Sequence, residues 1–260
     1  MITIKSKEDI QKLKTGGRIL ARILQETKKY ILDNYKKGDL TTNGVDKKVE
    51  FFLKNKGVEA SFKDYGLGED RNPFPSHLCI SVNEEIVHGV CSEKVLKEGD
   101  LVSIDLGVVC EGLYTDAAIS FILGKKLSDI DEKLIKTAKE SLYKGIGKVR
   151  VGNRIGDIGE AIEKYIKKEG FGVVRNYCGH GVGYAVHEDP SIPNYGKAGE
   201  GEEIKEGMVL AIEPMVVAGD EKTIVDKNNW TVKTADNKRA AHWEHTVVAT
   251  EGEPIVLTEL

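Results

Sequence analysis

Apolar residues recur at helical spacing in several parts of this 260-residue chain. The pattern predicts four amphipathic helices, at residues 7–34, 42–56, 128–148 and 156–169. Ser6 or Asp9 is suited to cap the first helix. Gly57 and Gly170 follow the second and fourth helices, where a glycine commonly ends a helix. Each half therefore begins with two predicted helices, and the residues after them are expected to form the strands.

Strand-length apolar runs follow the helices in both halves of the chain. These runs lie at Cys79–Val82, Leu101–Val109, Ala117–Leu123, Val173–Cys178, Met208–Glu213, Thr231–Thr234 and Thr246–Ala249. The mixture predicts an α+β fold. The junction at residues 124–128 is too short for an independent linker. We therefore expect one catalytic domain over residues 1–260, whose halves, approximately 1–124 and 125–260, share one sheet and one core.

The two halves also resemble each other in sequence. Residues 97–105 align with residues 205–213 at a constant offset, and both segments end in a carboxylate. His88-Gly89-Val90 is echoed by His180-Gly181-Val182. Three echoes in the same order, counting the paired helices, favour an internal duplication. The halves should then be related by a pseudo-twofold axis.

Two aspartates interrupt apolar strands in the first half. Asp105 lies in the middle of one strand, and Asp116 lies on the next, after the turn signal Glu111-Gly112. A hairpin centred between Cys110 and Glu111 would place the two aspartates directly opposite each other. Like charges in that position destabilise a sheet, and burying them unpaired costs several kcal/mol. A cation is therefore expected between them.

The second half repeats this arrangement with glutamates. Glu213 ends one apolar strand, Glu244 begins the next, and His180 lies in a glycine-rich segment. Any one of these acids could be a hydrogen-bonded structural residue or a surface residue paired with lysine. As a set at duplicated positions, four carboxylates and one imidazole favour a site for two divalent ions such as Mn²⁺, Fe²⁺, Co²⁺ or Zn²⁺.

Composition narrows the class of protein. The formal net charge is −4 and no long block of like charges occurs, which argues against a nucleic-acid binder. No apolar run reaches the length of a membrane span, and the charged N-terminus lacks a signal-peptide core. Four scattered cysteines show no metal-binding or disulfide spacing. These features predict a cytoplasmic protein.

Together these motifs resemble the type I methionine aminopeptidases, which have the pita-bread fold, over nearly the whole chain. That fold is a central curved antiparallel sheet covered by helices. The matching segments are residues 79–84, Val87-His88-Gly89, Asp105-Leu106-Gly107, Thr115-Asp116, residues 179–183, His187-Glu188-Asp189-Pro190, residues 212–215 and Glu244-His245-Thr246.

The resemblance implies a role for each matching residue. It implies that the ligands of two divalent ions (Co, Mn, Fe, Zn or Ni) are Asp105, Asp116, His180, Glu213 and Glu244. It further implies that His88 and His187 contact the substrate and stabilise the tetrahedral state, and that Glu213 shuttles a proton. The pocket for the methionine side chain would include Cys79, Phe74 and Trp230.

The implied reaction is removal of the initiator methionine from peptides and nascent proteins. A metal-bridging hydroxide would attack the peptide, and Asp105 with its metal would help hold the free amine. Small second residues would be preferred. The resemblance implies a peptide or nascent-protein substrate and a transient contact with the ribosome. It implies no binding to nucleic acid alone or to a membrane, and a monomeric protein.

Simpler interpretations exist for several of these residues. His88 could be a core histidine, His187 a loop residue, and Cys79 and Trp230 ordinary packing residues. His77, His242 and His245 have no motif support and are interpreted as structural or supporting residues. Residues 73–77 and Val186 depart from the family pattern near the substrate pocket, so second-residue preference is less defined than the chemistry.

Two other functions compete with this interpretation. One is a prolidase or proline-specific aminopeptidase of the same fold, although those proteins usually carry an extra N-terminal domain. The other is a non-enzymatic pita-bread protein, although such proteins generally lose metal ligands. A type II enzyme would carry a long insertion, for which the short interval between His180 and Glu213 leaves little room.

Overall fold

The computed structural model describes residues 2–66 and 72–260. All four predicted helices are confirmed to within a few residues: α1 (Lys7–Asn34), α2 (Thr42–Lys56), α3 (Asp129–Ile146) and α4 (Ile155–Lys168). A 3₁₀ turn, Tyr35–Lys37, follows α1. Both proposed caps of α1 act together. The Ser6 hydroxyl accepts the Asp9 N–H at 3.1 Å, and the Asp9 carboxylate accepts the Ser6 N–H at 3.0 Å.

The described residues form fifteen strands. They are β1 (Glu59–Ala60), β2 (Cys79–Val82), β3 (Glu85–Val87), β4 (Leu101–Cys110), β5 (Leu113–Ile122), β6 (Gly172–Val173), β7 (Gly179–Gly181), β8 (Glu188–Ile192), β9 (Val209–Ile212), β10 (Met215–Val217), β11 (Thr223–Val225), β12 (Val232–Thr234), β13 (Ala240–His242), β14 (Glu244–Val248) and β15 (Ile255–Val256). The predicted α+β class is confirmed.

One sheet crosses both halves of the chain. Its order is β1-β4-β5-β14-β9-β7-β8, with β2 added to β4 and β15 added to β14. Its neighbouring strands are antiparallel, and the β5–β14 pair joins first-half strands to second-half strands. Two three-stranded sheets, β13-β10-β6 and β11-β12-β3, flank it. The main sheet is therefore shared by the halves, as the short junction predicted.

The helices cover this sheet in pairs. Leu20 of α1 and Val45 of α2 are buried with first-half sheet residues, whereas Leu142 of α3 and Ile162 of α4 are buried with second-half ones. Trp243 packs against both apolar clusters. The apolar stripe of each helix thus lies against the sheet half that follows it in sequence. Within residues 2–66 and 72–260, none of the helices combines the length and apolarity that crossing a bilayer requires.

The hairpin between β4 and β5 differs from the prediction. Cys110 pairs with Leu113, and both intervening residues have positive φ, 51° at Glu111 and 77° at Gly112, as in a two-residue type I′ turn. The turn is therefore centred one residue later than predicted, between Glu111 and Gly112. Asp105 lies opposite Ala118, so the prediction that Asp105 directly faces Asp116 was wrong. The aspartates are diagonal neighbours on one face.

Second-half strands were predicted less accurately. The predicted strand Val173–Cys178 is wrong beyond Val173, because only Gly172–Val173 pairs there. Sequence reasoning did not identify β7, β8, β10, β11, β13 or β15, which are two to five residues long. Strands this short present too few alternating positions to be distinguished from loops.

Candidate active site

The strand register brings the four acids to one face of the main sheet. Asp105 on β4 pairs with Ala118 on β5, and Ala118 pairs in turn with Glu244 on β14. Residues directly opposite each other on paired strands point to the same face. Asp105 and Glu244 therefore flank a position that carries only a methyl group. The small residue between them leaves space above the sheet.

The remaining ligand-type residues approach from adjoining strands. His245 pairs with Ile212, so Glu244 and Glu213 lie side by side at the end of that ladder. His180 on β7 pairs with Ala211, two residues before Glu213 and therefore on the same face. The Asp116 backbone exchanges hydrogen bonds of 2.9 and 2.8 Å with the Thr246 hydroxyl. Backbone pairing, rather than side-chain flexibility, thus determines where these groups lie.

The ligand atoms are close together. One ligand atom from each of Asp116, His180 and Glu244 lies within 4.8 Å of the others. His180 Nε2 lies 3.6 Å from Glu213 Oε1. His180 Nδ1 lies 2.9 Å from the Gly181 carbonyl oxygen, which can only accept, so Nδ1 carries the proton. The unprotonated Nε2 therefore faces the carboxylates, as a metal ligand requires.

Because these acids lie away from water, ionising them without a cation nearby is unfavourable in free energy. Burial, with repulsion from Glu213, raises the pKa of Asp116 to about 8. Burial raises the pKa of Glu213 to about 8, and burial and acidic neighbours raise the pKa values of Asp105 and Glu244. Burial lowers the pKa of His180 to about 3, so its ring is neutral at pH 7.

Two carboxylate oxygens have no partner. Asp105 Oδ1 and Asp116 Oδ1 are buried, and no residue in the described ranges gives either of them a hydrogen bond. Buried polar atoms are normally hydrogen-bonded. Unpartnered carboxylate oxygens beside a neutral imidazole fit a divalent cation, which would supply the missing partner.

His88 lies at the rim of the cluster on a strained turn. Its φ is 55°, in the left-handed region that residues with a side chain seldom adopt. The adjacent Gly89 permits this path, because a Cβ there would lie 2.1 Å from the Ile80 carbonyl oxygen. The Gly89 carbonyl accepts the Ile80 N–H at 2.9 Å. The glycine thus holds the His88 turn against β2.

His187 also lies at the rim, where it is exposed. Its ring centroid is 4.4 Å from that of His180. Its Nδ1 atom lies 2.8 Å from the Tyr65 hydroxyl. The second rim histidine therefore lies next to His180 of the acid cluster and is contacted by an aromatic residue from the other half of the chain.

An apolar pocket adjoins the acids. Phe74, Cys79 and Trp230 form a buried cluster, and the ring centroids of Phe74 and Trp230 are 5.4 Å apart. The Trp230 indole donates to the Asn72 carbonyl oxygen at 2.9 Å. Burial raises the pKa of the Cys79 thiol, so the sulfur stays protonated and packs as an apolar group.

All ten predicted site residues meet at this pocket. The cavity has a volume of about 160 Å³ and is lined by Phe62, Tyr65, Phe74, Cys79, His88, Asp105, Asp116, His180, His187, Glu213, Trp230 and Glu244. Sequence reasoning missed Phe62 and Tyr65. The only available signal was their aromatic character ahead of Phe74, which does not distinguish a pocket wall from ordinary core.

The other histidines lie apart from the pocket or behind it. His77 Nδ1 lies 3.0 Å from Asp46 Oδ2, and His245 Nδ1 lies 2.9 Å from the Thr258 hydroxyl. His242 is buried, with Nε2 3.4 Å from Glu213 Oε2. None of these three residues lines the cavity. Among them, only His242 contacts a ligand-type residue.

The chain matches known proteins over its full length. The sequence model of metallopeptidase family M24 matches residues 11–251. Methionine aminopeptidase 1 of Bacillus subtilis (strain 168) is 44% identical over 262 residues, which cover 100% of both chains. The methionine aminopeptidase of Borreliella burgdorferi is 43% identical over 260 residues, covering 100% of this chain and 99% of that protein.

Solved structures also match this chain. The methionine aminopeptidase from Thermotoga maritima superposes with a TM-score of 0.93 at 41% identity and covers 100% of both chains. The prolidase from Pyrococcus furiosus gives a TM-score of 0.77 at 24% identity, covering 99% of this chain and 65% of that one. The prolidase likeness bears on the fold alone. These likenesses confirm the predicted pita-bread architecture.

Proposed function

This chain belongs to metallopeptidase family M24, and from that premise we propose that it removes N-terminal methionine from peptides and nascent proteins. The observation that carries the proposal is the convergence of four acids, three of them buried, and one neutral histidine on one sheet face, beside an apolar pocket. The site residues come from both halves of the chain. One catalytic domain, built by internal duplication, is therefore part of the proposal.

Family membership implies divalent metal binding. We propose two ions (Co, Mn, Fe, Zn or Ni), held by Asp105, Asp116, His180, Glu213 and Glu244. The unpartnered oxygens of Asp105 and Asp116 and the outward lone pair of His180 support this ligand set. When bound, such ions lower the pKa of a water molecule towards neutrality and polarise a carbonyl group.

The chain's own residues bind and orient the peptide. Asp105 contributes to holding the free amine, which restricts cleavage to the first residue because an internal peptide lacks that amine. Glu213 shuttles a proton to the leaving amine. His88 and His187, which both line the cavity, donate hydrogen bonds to the scissile carbonyl oxygen or the adjacent amide and stabilise the tetrahedral state.

The methionine side chain occupies the apolar pocket. Its unbranched thioether suits a pocket of aromatic rings, because sulfur makes favourable contacts with ring edges. Phe74 and Trp230 present such edges, and the protonated Cys79 adds a small apolar wall. Phe62 and Tyr65 complete the lining. Crowding by the nearby acid cluster supports a preference for small second residues.

A peptide panel tests the proposal. With Mn²⁺ or Co²⁺, the purified protein should release methionine from Met-Ala-Ser but leave N-acetyl-Met-Ala-Ser intact, as measured by chromatography. Met-Lys-Ser should be cut more slowly than Met-Ala-Ser. Equal cleavage of the free and acetylated peptides would refute amine recognition, and equal rates for alanine and lysine would refute the second-residue preference.

Adding an Xaa-Pro dipeptide to the panel tests the prolidase alternative. The full-length methionine aminopeptidase relatives favour methionine release, whereas the prolidase shares only 24% identity. Preferential cleavage of an Xaa-Pro dipeptide would reverse this assignment. We also propose that the protein is a cytoplasmic monomer that contacts the ribosome transiently. The four cysteines are free, which supports a reducing compartment, and substrates that are nascent chains would arise at the ribosome.

A further inference from the structure

A buried lysine connects the N-terminal segment to the loop that carries His187. Lys5 is only 4% exposed. Its backbone N–H donates to the Gly207 carbonyl oxygen at 2.9 Å, which fixes the segment before α1 against the start of β9. Its Nζ atom donates to Glu188 Oε2 at 2.6 Å. The side chains of this ion pair are 1% and 8% exposed, so both charges are withdrawn from water.

The Glu188 carboxylate divides its two oxygens between different partners. Oε2 accepts from Lys5 Nζ and from the Thr3 hydroxyl. Oε1 accepts the backbone N–H groups of Tyr184 and Ala185, the latter at 3.1 Å. One oxygen therefore binds the N-terminal segment, and the other closes the loop that leads to His187.

The loop is shaped to receive the lysine. Gly183 has a φ of 140°, and a Cβ there would lie 2.3 Å from the Lys5 Cε atom. The Tyr184 ring lies over Lys5, with Nζ 4.9 Å from the ring centroid, and the Tyr184 hydroxyl donates to Asp9 Oδ2 at 2.8 Å. The N-terminal segment and the first turn of α1 thus hold both the charge and the ring at this end of the loop.

His187 directly precedes this anchored acid. Its side chain is exposed, so burial does not fix its position. Its backbone continues into Glu188, the first residue of β8. Displacement of Glu188 would therefore shift the His187 ring relative to the acid cluster. A catalytic group that is misplaced by about 1 Å can cost about a hundredfold in rate.

We propose that Lys5 is a positioning residue that acts through Glu188 to hold His187 at the active site. This inference rests on the proposed function, in which His187 stabilises the tetrahedral state. Lys5 touches neither the substrate nor the ligand-type residues. Its effect is exerted on the loop that carries the histidine.

The central variant is Lys5→Met, which keeps the length of the stem and removes the charge. It leaves the Glu188 carboxylate buried without its cation, a strongly destabilising arrangement, so the carboxylate should swing towards water. We expect kcat/KM for Met-Ala-Ser to fall about ten- to a hundredfold, mainly through kcat. Adding Glu188→Gln should restore part of the loss, because the amide oxygen can still accept the two loop N–H groups without a buried charge.

A double-mutant cycle separates positioning from general stability. In the His187→Ala background, Lys5→Met should cost little further activity, because the group that Lys5 positions has been removed. Thr3→Val, which removes a hydroxyl that donates to Glu188 and accepts from Lys5 Nζ but keeps the Lys5–Glu188 ion pair, should give a smaller loss with the same dependence on His187. This milder variant decides the question if Lys5→Met fails to fold. The matched control is Lys12→Met, which breaks the exposed Lys12–Glu8 pair on α1 and should leave kcat and KM unchanged.

The outcomes distinguish the inference from the proposed function. Equal losses in the wild-type and His187→Ala backgrounds, or full activity of both Lys5→Met and Thr3→Val, would overturn the positioning role while leaving the aminopeptidase assignment intact. A metal-loaded wild-type protein that releases no methionine would overturn both. A loss confined to the background that contains His187 supports the inference.

Discussion

The acid cluster and the histidine rim lie side by side but are held by different means. Asp105, Asp116 and Glu244 lie on paired strands of the main sheet, so backbone hydrogen bonds fix their positions. His88 and His187 lie on turns, one held by a close glycine contact and the other by remote side chains. Side chains whose charges repel each other must be held in place by a rigid backbone. Hydrogen-bond donors need only to be oriented.

This difference predicts how substitutions in each region should affect activity and stability. Substitutions in the cluster change the charge of a buried site, so they should affect both chemistry and the stability of the metal-free protein. Substitutions behind the rim should change the orientation of a histidine, with graded effects on kcat, and should lower stability only where they leave a buried charge unpaired, as Lys5→Met does. The following predictions test that contrast.

The largest effect is expected for Glu213→Gln. The amide has nearly the same size but cannot carry a proton between water and the leaving amine, so kcat should fall about 10²- to 10⁴-fold. Methionine release from Met-Ala-Ser at saturating Mn²⁺ measures this. The metal-free variant should melt no lower than wild type, because one repelling acid has been removed.

Glu206→Gln is the matched control, because Glu206 is an exposed glutamate shortly before β9. It should leave the rate unchanged. Near-normal turnover by Glu213→Gln would assign the proton shuttle to another group.

A second prediction concerns the stability of metal-free protein as pH changes. Burial raises the pKa values of Asp116 and Glu213 to about 8, from the usual 3.8 and 4.5. The folded state therefore keeps protons that the unfolded chain releases. This stabilising contribution is complete below the unfolded pKa values and is lost as pH rises through about 8.

Three buried histidines act in the opposite direction at lower pH. Burial lowers the pKa values of His180 and His242 to about 3 and that of His245 to about 4, so their contribution is complete above the unfolded value of 6.5. Above pH 6.5 the effect of the acids therefore exceeds the declining effect of the histidines. In EDTA, Tm should fall between pH 6.5 and pH 8, and Asp116→Asn should flatten the slope. A wild-type Tm that rises over this interval would contradict the assigned cause.

The smallest effect is expected at the rim, for Tyr65→Phe. The substitution removes the hydroxyl that lies 2.8 Å from His187 Nδ1 and keeps the ring beside Trp230. A single hydrogen bond of this kind contributes about 0.5–1.5 kcal/mol, so kcat/KM should fall about two- to tenfold. Tyr165→Phe, which removes a hydroxyl bonded to Glu140, is the control and should have no effect. A loss as large as that of Glu213→Gln would mean that the rim is as rigidly constrained as the cluster.

Local sequence patterns predicted much of this fold. The helices were identifiable because their apolar stripes extend over several turns and their caps are local, as the Ser6–Asp9 pair shows. The acids stood out because a carboxylate within an apolar strand is costly unless something compensates it. The family resemblance then predicted roles for His88, His187 and the pocket residues Phe74, Cys79 and Trp230. The resemblance did not identify Tyr65, whose hydroxyl contacts His187, a residue distant in sequence.

By itself, the sequence determined which segments form helices and which side chains are candidates for the chemistry, because periodicity and misplaced charges are properties of neighbouring residues. Only the tertiary structure decided the register that makes Asp105 and Asp116 diagonal neighbours, and only it paired Lys5 with Glu188 across 183 positions. The φ angles of a two-residue turn set the hairpin register. A contact between distant residues depends on how the whole chain packs, and it leaves no periodic trace in either segment.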